Sequence, residues 1–246
     1  IFCNPGDTVV VELPTFVSGI NAMRIHGANV VGVEMDEEGM ELDGLEHAFR
    51  TEPNVKLLYV IPTFQNPSGK TMSLARRKAI YALCVKYGVM ILEDNPYGEL
   101  RFRGEDIPTF KSMDDEGIVI YNGSYSKVLS AGMRIGFVMA QKDVLQRLTV
   151  AKQFSDCHSN IFFQIVTDEW LRTADVDAHI AKIRKIYRER CDFMLKLLDE
   201  HMDKRVTYTR PDGGLFLWCT LPEGCDSQEL ADLALRKGVA FVPGRD

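Results

Sequence analysis

The stretch GSYSKVLSAGMRIG at residues 123–136 determines how the rest of the chain is interpreted. An apolar strand is predicted just before it at Ile118–Tyr121, and a second one leaves it at Ile135–Ala140. Between these strands lie Lys127 and Arg134, among serines and glycines. Ligand sites in open α/β sheets form where strands end. A lysine there can hold a phosphate as a point charge or form a Schiff base with a carbonyl compound.

Taken alone, a Ser-x-Ser-Lys sequence is more typical of a solvated surface turn. The segments upstream favour a functional site, because strand-like and helix-like runs alternate along them. Predicted strands cover Thr8–Leu13, Val30–Met35, Val55–Ile61 and Val89–Glu93. Predicted helices cover Ser18–His26, Asp43–Arg50 and the segment from the Ser73 cap to Tyr87, which Gly88 ends. This alternation predicts an α/β fold with a mostly parallel sheet sandwiched by helices.

The pattern changes after Ala140, where helices dominate and the β signal weakens. Further helices are predicted at Lys142–Ser155, Phe162–Thr173, Val176–Met202 and Gln228–Lys237. Short strands are predicted at Val206–Thr209, Leu215–Thr220 and Ala240–Val242. We therefore predict a large domain over residues 1–175, a long connecting helix over 176–202 and an incomplete small α+β domain over 203–246.

Composition excludes several classes of protein. The chain has 246 residues and a net charge of −6, which argues against binding to nucleic acid or anionic lipid through bulk charge. Its six cysteines and five histidines are scattered without zinc-ligand spacing, so no metal site is predicted. Unpaired cysteines favour a reducing, cytoplasmic location. No apolar run approaches the roughly 20 residues of a membrane helix, and a signal peptide is not expected from the first residues of this sequence.

Both ends of the sequence have the character of cuts through a longer protein. The chain begins at Ile1 without an initiator methionine, and it ends at Asp246 immediately after a strand-like run. We therefore expect that segments outside it contribute to the site. Arg245 is expected to be a loop residue.

Chemically unusual residues follow three successive predicted strands. Asn66 follows the first, Asp94 and Tyr97 follow the second, and the Ser124–Lys127 segment follows the third. A carboxylate after an apolar strand is costly unless its charge has a partner, although a lone Asp there is also a common helix cap. A tyrosine such as Tyr97 is, by itself, more often a packing residue.

As a set, these residues meet the demands of pyridoxal phosphate. Its aldehyde needs a lysine, and its ring nitrogen needs a carboxylate that keeps it protonated. Its phenolic oxygen accepts hydrogen bonds, and its phosphate favours hydroxyls and an arginine. The corresponding residues are Lys127 for the aldehyde, Asp94 for the nitrogen, Asn66 and Tyr97 for the oxygen, and Ser124, Ser126 and Arg134 for the phosphate. The nucleotide-binding patterns Gly-x-x-x-x-Gly-Lys-Ser/Thr and Gly-x-Gly-x-x-Gly are absent.

Three motifs, Pro62–Gly69, Asp94–Tyr97 and Gly123–Gly136, resemble those of class I/II aminotransferases of PLP fold type I. The similarity extends over essentially the whole chain. It is strongest to the branch that contains 2-aminoadipate/kynurenine aminotransferases and the aminotransferase-like domains of MocR-type regulators. The resemblance implies that Lys127 bonds the cofactor covalently as a Schiff base and that the other residues hold the roles given above. It also implies that Phe16 stacks on the cofactor ring, although core packing explains Phe16 nearly as well.

The resemblance implies a transferase that moves the amino group of an L-amino acid to a 2-oxo acid by a ping-pong mechanism, as a homodimer with active sites at its interface. The family's first phosphate-binding turn and its substrate-carboxylate arginine have no counterpart in this sequence. Three alternatives remain. They are a ligand-sensing MocR-type regulator, β-elimination or decarboxylation on the same cofactor, and a chain that is inactive alone.

Overall fold

A seven-stranded sheet forms the centre of the computed structural model, which describes residues 1–244. The strands are β1 (Thr8–Leu13), β2 (Asn29–Asp36), β3 (Gly39–Met40), β4 (Val55–Val60), β5 (Met90–Asp94), β6 (Val119–Ser124) and β7 (Gly136–Met139). Their order in the sheet is β3-β2-β1-β4-β5-β6-β7. The inner strands are parallel, whereas β3 and β7 run antiparallel at the edges. The predicted fold class is confirmed, and the expectation for Arg245 lies outside the described residues.

Helices connect the strands and continue the chain after the sheet is complete. They are α1 (Val17–Ile25), α2 (Leu42–Thr51), α3 (Leu74–Tyr87), α4 (Lys142–Ser155), α5 (Ile161–Thr173), α6 (Val176–His201) and α7 (Ser227–Arg236). Short 3-10 helices lie at Gly98–Leu100, Lys111–Met113 and Ala131–Met133. Within residues 1–244, no helix combines the length and apolar character needed to cross a bilayer.

The two faces of the sheet pack against different helices, because side chains alternate along each strand. On β1, Val10 belongs to a core cluster with Leu45 of α2 and Ile80 of α3. Its neighbours Val9 and Val11 point to the opposite face, whose cluster includes residues of α6. Burying each such aliphatic side chain contributes about 1.5–3 kcal/mol. The sheet is therefore held from both sides, as an α/β fold requires.

The ends of α3 follow from its cap residues. The Ser73 hydroxyl accepts a hydrogen bond from the Arg76 backbone N–H at 3.2 Å. At the other end Gly88 adopts a left-handed conformation with φ of 67°, which glycine enters without steric cost. The predicted boundaries of this helix are confirmed, and the chain passes directly into β5.

The C-terminal strands were predicted too long. The structure contains only β8 (Thr207–Tyr208) and β9 (Cys219–Thr220), which pair antiparallel within the described part of the chain. The predicted strand at Ala240–Val242 is wrong: these residues carry no strand pairing in the described range, and Val242 is 85% exposed. Apolar β-branched residues favour a strand only where a neighbouring strand can complete the ladder.

The segment before β9 packs on the loop after β4 instead of extending the strand. Phe64 of that loop is fully buried, with φ of 52°, and its ring lies 4.7 Å from the Arg101 guanidinium carbon. A Cβ atom on Gly213 would lie 2.2 Å from the Phe64 ring, and one on Gly214 would lie 2.4 Å from the Phe64 Cβ. Only glycine allows this approach.

Candidate active site

The predicted site residues lie at the ends of four strands that are neighbours in the sheet. β1, β4, β5 and β6 are adjacent and parallel, so their carboxyl ends meet at one edge. Phe16 follows β1, Asn66 follows β4, Asp94 ends β5, and Lys127 follows β6. Arg134 lies just before β7, whose Gly136 pairs with the last residue of β6. Open α/β sheets bind ligands at this edge.

Asp94 is fixed by hydrogen bonds to both of its carboxylate oxygens. The Tyr59 hydroxyl donates to Oδ2 at 2.8 Å, and the Asn122 side-chain amide donates to Oδ1 at 2.8 Å. Burial raises the pKa of Asp94, while these two hydrogen bonds oppose the rise. Tyr59 comes from β4 and Asn122 from β6, so the carboxylate is held between the strands on either side of its own.

Asn66 and Tyr97 are brought together. The Asn66 side-chain amide donates a hydrogen bond to the Tyr97 hydroxyl at 3.3 Å. Tyr97 is buried, and its ring meets the edge of Phe216 at a centroid distance of 5.5 Å. Burial raises the pKa of the Tyr97 phenol, so it stays protonated at neutral pH and can donate a hydrogen bond of its own.

Lys127 lies on one helical turn that follows β6. The Tyr125 carbonyl accepts from the Leu129 N–H at 2.8 Å and from the Ser130 N–H at 3.2 Å. Within residues 1–244, the half-buried Lys127 ammonium has no hydrogen-bond or ion-pair partner. Just before the turn, Gly123 of β6 pairs with Phe137 of β7 and leaves space for its ring, which a Cβ on Gly123 would approach to 2.3 Å.

The residues predicted to hold a phosphate surround this turn. Ser124 Oγ accepts a hydrogen bond from the Ser126 N–H at 3.1 Å, which leaves the Ser124 hydroxyl proton free to donate. Arg134 is exposed and left-handed, with φ of 58°, and its guanidinium donates to the Ala131 carbonyl at 3.1 Å. A non-glycine residue with positive φ is uncommon and is found at strained functional sites.

Phe16 is the predicted site residue with the weakest structural connection. It lies just before α1 and is 37% exposed. In the described part of the chain its ring makes no aromatic contact. Its ring is therefore partly exposed at the end of β1. Asn66 follows the neighbouring strand, β4, but the ring of Phe16 has no aromatic contact with another predicted site residue in the described part of the chain.

The donor set fits pyridoxal phosphate. No lysine or arginine among residues 1–244 forms an ion pair with Asp94, so a half-buried carboxylate lacks a cationic partner. A protonated ring nitrogen would supply that charge and favour the ionised carboxylate. An uncommitted amine, hydroxyl and amide donors and an exposed guanidinium lie at the same edge of the sheet. These are the groups that the aldehyde, the phenolic oxygen and the phosphate require.

Tyr59 and Asn122 were missed by the sequence interpretation. Tyr59 lies within a predicted apolar strand and reads as core, and Asn122 falls between the predicted strand Ile118–Tyr121 and the stretch 123–136, where no role was predicted for it. The signal that would have found Asn122 is its register, because Asp94 pairs with Asn122 across the β5–β6 ladder. Neither contact is local in sequence, so spacing alone could not reveal it.

A second acidic residue, Glu12, lies buried at the end of β1. Its Oε2 accepts from the Ile61 N–H at 2.9 Å and from the Gln65 side-chain amide at 3.3 Å. Burial raises the pKa of Glu12 to about 8, and the nearby Asp94 charge adds to the rise. The neutral carboxyl therefore predominates at pH 7.

Glu12 is expected to make the folded state less stable as the pH rises. The unfolded carboxyl ionises near its ordinary pKa of 4.5, whereas the folded one ionises near 8. Between these values the folded state binds more protons, so the free energy of unfolding falls as pH increases. The side chain introduced by Glu12→Gln cannot ionise. The variant should therefore lose less of its free energy of unfolding between pH 5 and pH 8 than the wild-type protein does, by about 1 kcal/mol or more. Urea titrations at the two pH values measure this difference, and an unchanged pH dependence would contradict it.

Comparison with known proteins agrees with this geometry. The family model described as "Aminotransferase class I and II" matches residues 1–246. The chain is 44% identical to aromatic-amino-acid aminotransferase 1 of Thermococcus litoralis over 99% of its length and 60% of that protein. It is 38% identical to the 2-aminoadipate transaminase of Thermus thermophilus over 99% of its length and 62% of that protein. The chain thus spans about 60% of the length of these curated relatives.

A solved structure extends the similarity to three dimensions. The kynurenine aminotransferase of Pyrococcus horikoshii, crystallised in complex with PMP, superposes with a TM-score of 0.96 at 41% identity. The match covers 99% of this chain and 61% of that one. An HTH-type transcriptional regulator of Bacillus subtilis is 32% identical over 96% of the chain and 49% of the regulator, so the aminotransferases are the more similar relatives. The chain belongs to the class I and II aminotransferase family, whose cofactor is pyridoxal phosphate.

Proposed function

We propose that this chain provides the catalytic centre of an aminotransferase that moves the amino group of an L-amino acid to a 2-oxo acid. One observation carries the proposal. Asp94 pairs in register with Asn122, on the strand that leads into the Lys127 turn. The carboxylate and the amine that pyridoxal phosphate needs thus come from neighbouring strand ends. The family membership and the relatives named as aminotransferases support the same conclusion.

Each residue has a defined task in this proposal. When bound, pyridoxal phosphate would supply an aldehyde for the donor's amino group and a ring that can accept the negative charge left at the donor's Cα. Lys127 would hold the cofactor's aldehyde through its amine, and the free amine would remove the donor's Cα proton as a general base and later return a proton. Asp94 keeps the ring nitrogen protonated, and Asn66 and Tyr97 donate hydrogen bonds to the ring oxygen. A return half-reaction with a second 2-oxo acid gives ping-pong kinetics.

The remaining predicted residues hold the cofactor in place. Ser124 and Ser126 bind the phosphate from the start of the Lys127 turn, and Arg134 adds its positive charge. Phe16 stacks on the ring. The exposed guanidinium of Arg134 and the free hydroxyl proton of Ser124 support these assignments.

We propose a homodimer in the cytoplasm as the working form. Phe154, Phe162 and Ile165 of α4 and α5 are 88%, 66% and 63% exposed, and such apolar side chains are expected to be covered in an assembly. The cysteines are all free, which is typical of a reducing compartment. The proposed domain division is 1–175, 176–202 and 203–246, with α6 as the connection.

A panel of amino donors tests the proposal. Aromatic amino acids, 2-aminoadipate and alanine are offered to the pyridoxal-phosphate-loaded protein, each with and without an acceptor 2-oxo acid. We expect the donor's 2-oxo acid to accumulate catalytically only when the acceptor is present. Release of ammonia and pyruvate without an acceptor would instead indicate β-elimination. If none of the donors gave a product, the proposal would be contradicted.

A further inference from the structure

We propose that Gln65 is a positioning residue for Asn66, and that together with Glu12 it forms a buried clamp that fixes Asn66 against the cofactor. The inference deepens the proposed function and rests on it for the role of Asn66. Gln65 directly precedes Asn66 in the loop after β4, Glu12 lies near the end of β1, and neither is among the predicted ligands of the cofactor. Both side chains are almost completely buried, with 2% and 1% exposed.

Every polar atom of the Gln65 side chain has a partner. Its amide nitrogen donates to the Pro14 carbonyl at 2.7 Å and to Glu12 Oε2 at 3.3 Å. Its amide oxygen accepts from the Ser68 N–H at 2.8 Å. Gln65 therefore joins the end of β1 to the far side of the loop that contains Asn66.

The backbone of Gln65 closes the same loop. Its N–H donates to the Lys70 carbonyl at 2.8 Å, and its carbonyl accepts from the Gly69 N–H at 2.6 Å. Glu12 holds the entrance to the loop, because its carboxyl also accepts from the Ile61 N–H at 2.9 Å. The chain is thus fixed immediately before Asn66 and again after it.

Asn66 itself has little to hold it. In the described part of the chain, its half-buried side chain has one hydrogen bond, to the Tyr97 hydroxyl at the long distance of 3.3 Å. Its orientation therefore depends on the backbone at either side. A hydrogen-bond donor in an active site must be held within roughly 0.5 Å of its productive position by such surrounding contacts. The clamp supplies those contacts.

The test is a double-mutant cycle on cofactor affinity in the full chain. Gln65→Met keeps the length of the side chain and removes its hydrogen bonds, and Asn66→Ala removes the positioned group. Each change is expected to weaken pyridoxal phosphate binding about tenfold, the effect of losing one well-placed hydrogen bond. The double variant is expected to bind no more weakly than Asn66→Ala, because residues that act through one another are not additive.

Several outcomes would overturn the clamp. One is an unchanged affinity of Gln65→Met for pyridoxal phosphate. Another is an affinity about a hundredfold weaker in the double variant, which is the result expected if the two residues act independently. Gln65→Met is also expected to shift the pH midpoint of the bound cofactor's absorbance in the same direction as Asn66→Ala, and an unmoved midpoint would contradict the role. Gln146→Met makes the same chemical change on the exposed face of α4 and should leave both readouts unchanged.

A second variant guards against misfolding. If thermal unfolding shows that Gln65→Met does not fold, Gln65→Asn replaces it, since its amide is one methylene too short to reach Pro14 and Glu12. The same tenfold loss and the same lack of additivity are expected. Because the readout is cofactor binding, a wild-type protein that binds pyridoxal phosphate but transfers no amino group would refute the proposed function and leave the clamp standing. A wild-type protein that binds no cofactor would refute both.

Discussion

Replacing Lys127 with alanine is expected to abolish amino-group transfer, by at least about four orders of magnitude, together with covalent attachment of the cofactor. Lys127 is the one proposed residue that both bonds the cofactor and moves the proton, so its loss removes two steps at once. The ammonium of this residue has no competing partner among residues 1–244. Borohydride reduction followed by mass spectrometry should find the cofactor bonded to the wild-type peptide that contains residue 127 and absent from the variant.

Two controls separate chemistry from charge and folding. Lys127→Arg retains a positive charge but can neither bond the aldehyde nor act as a base near neutral pH, so it should be as inactive as the alanine variant. Lys152→Ala removes an exposed lysine of α4 that forms an ion pair with Asp156, and near-normal turnover is expected. A fully active Lys127→Ala protein would refute the mechanism.

Replacing Asp94 with alanine is expected to lower turnover by several orders of magnitude while the protein still binds cofactor. The carboxylate is the proposed partner of the ring nitrogen, and without it the ring loses its proton and accepts less negative charge. Binding persists because Lys127 and the phosphate contacts remain. Steady-state rates measure the first effect, and equilibrium dialysis of pyridoxal phosphate measures the second.

Asp94→Asn provides the matched variant for the charge. An amide oxygen can still accept from the Tyr59 hydroxyl or the Asn122 amide, so much of the hydrogen-bonded frame survives without the negative charge. We expect a loss close to that of the alanine variant. Turnover near the wild-type level in either protein would contradict the role of Asp94.

Local signals in the sequence predicted most of the fold. α3 was predicted at its observed boundaries because Ser73 and Gly88 are cap residues whose effect is confined to one turn. β4 was predicted to within a residue, since a continuous apolar run bounded by Pro62 needs no distant information. The strand predicted at Ala240–Val242 failed for the converse reason. A strand depends on a neighbour, and sequence pattern does not supply one.

The candidate site divides in the same way. Residues that follow strand ends, such as Asp94 and Lys127, could be identified because the order of the strands makes their edge of the sheet predictable. Their supporting residues could not. Tyr59, Glu12 and Gln65 act across strands through contacts far apart in sequence, and each reads locally as an ordinary core or loop residue.

The close approach of Gly213 and Gly214 to Phe64 limits how this protein can be redesigned. The ring they cover belongs to the residue just ahead of Gln65 and Asn66, so bulk introduced at either glycine would displace the very loop that presents the amide. Transplanting that loop into another scaffold would therefore fail unless the distant diglycine were carried along with it. Natural variants of the two segments are expected to change in concert.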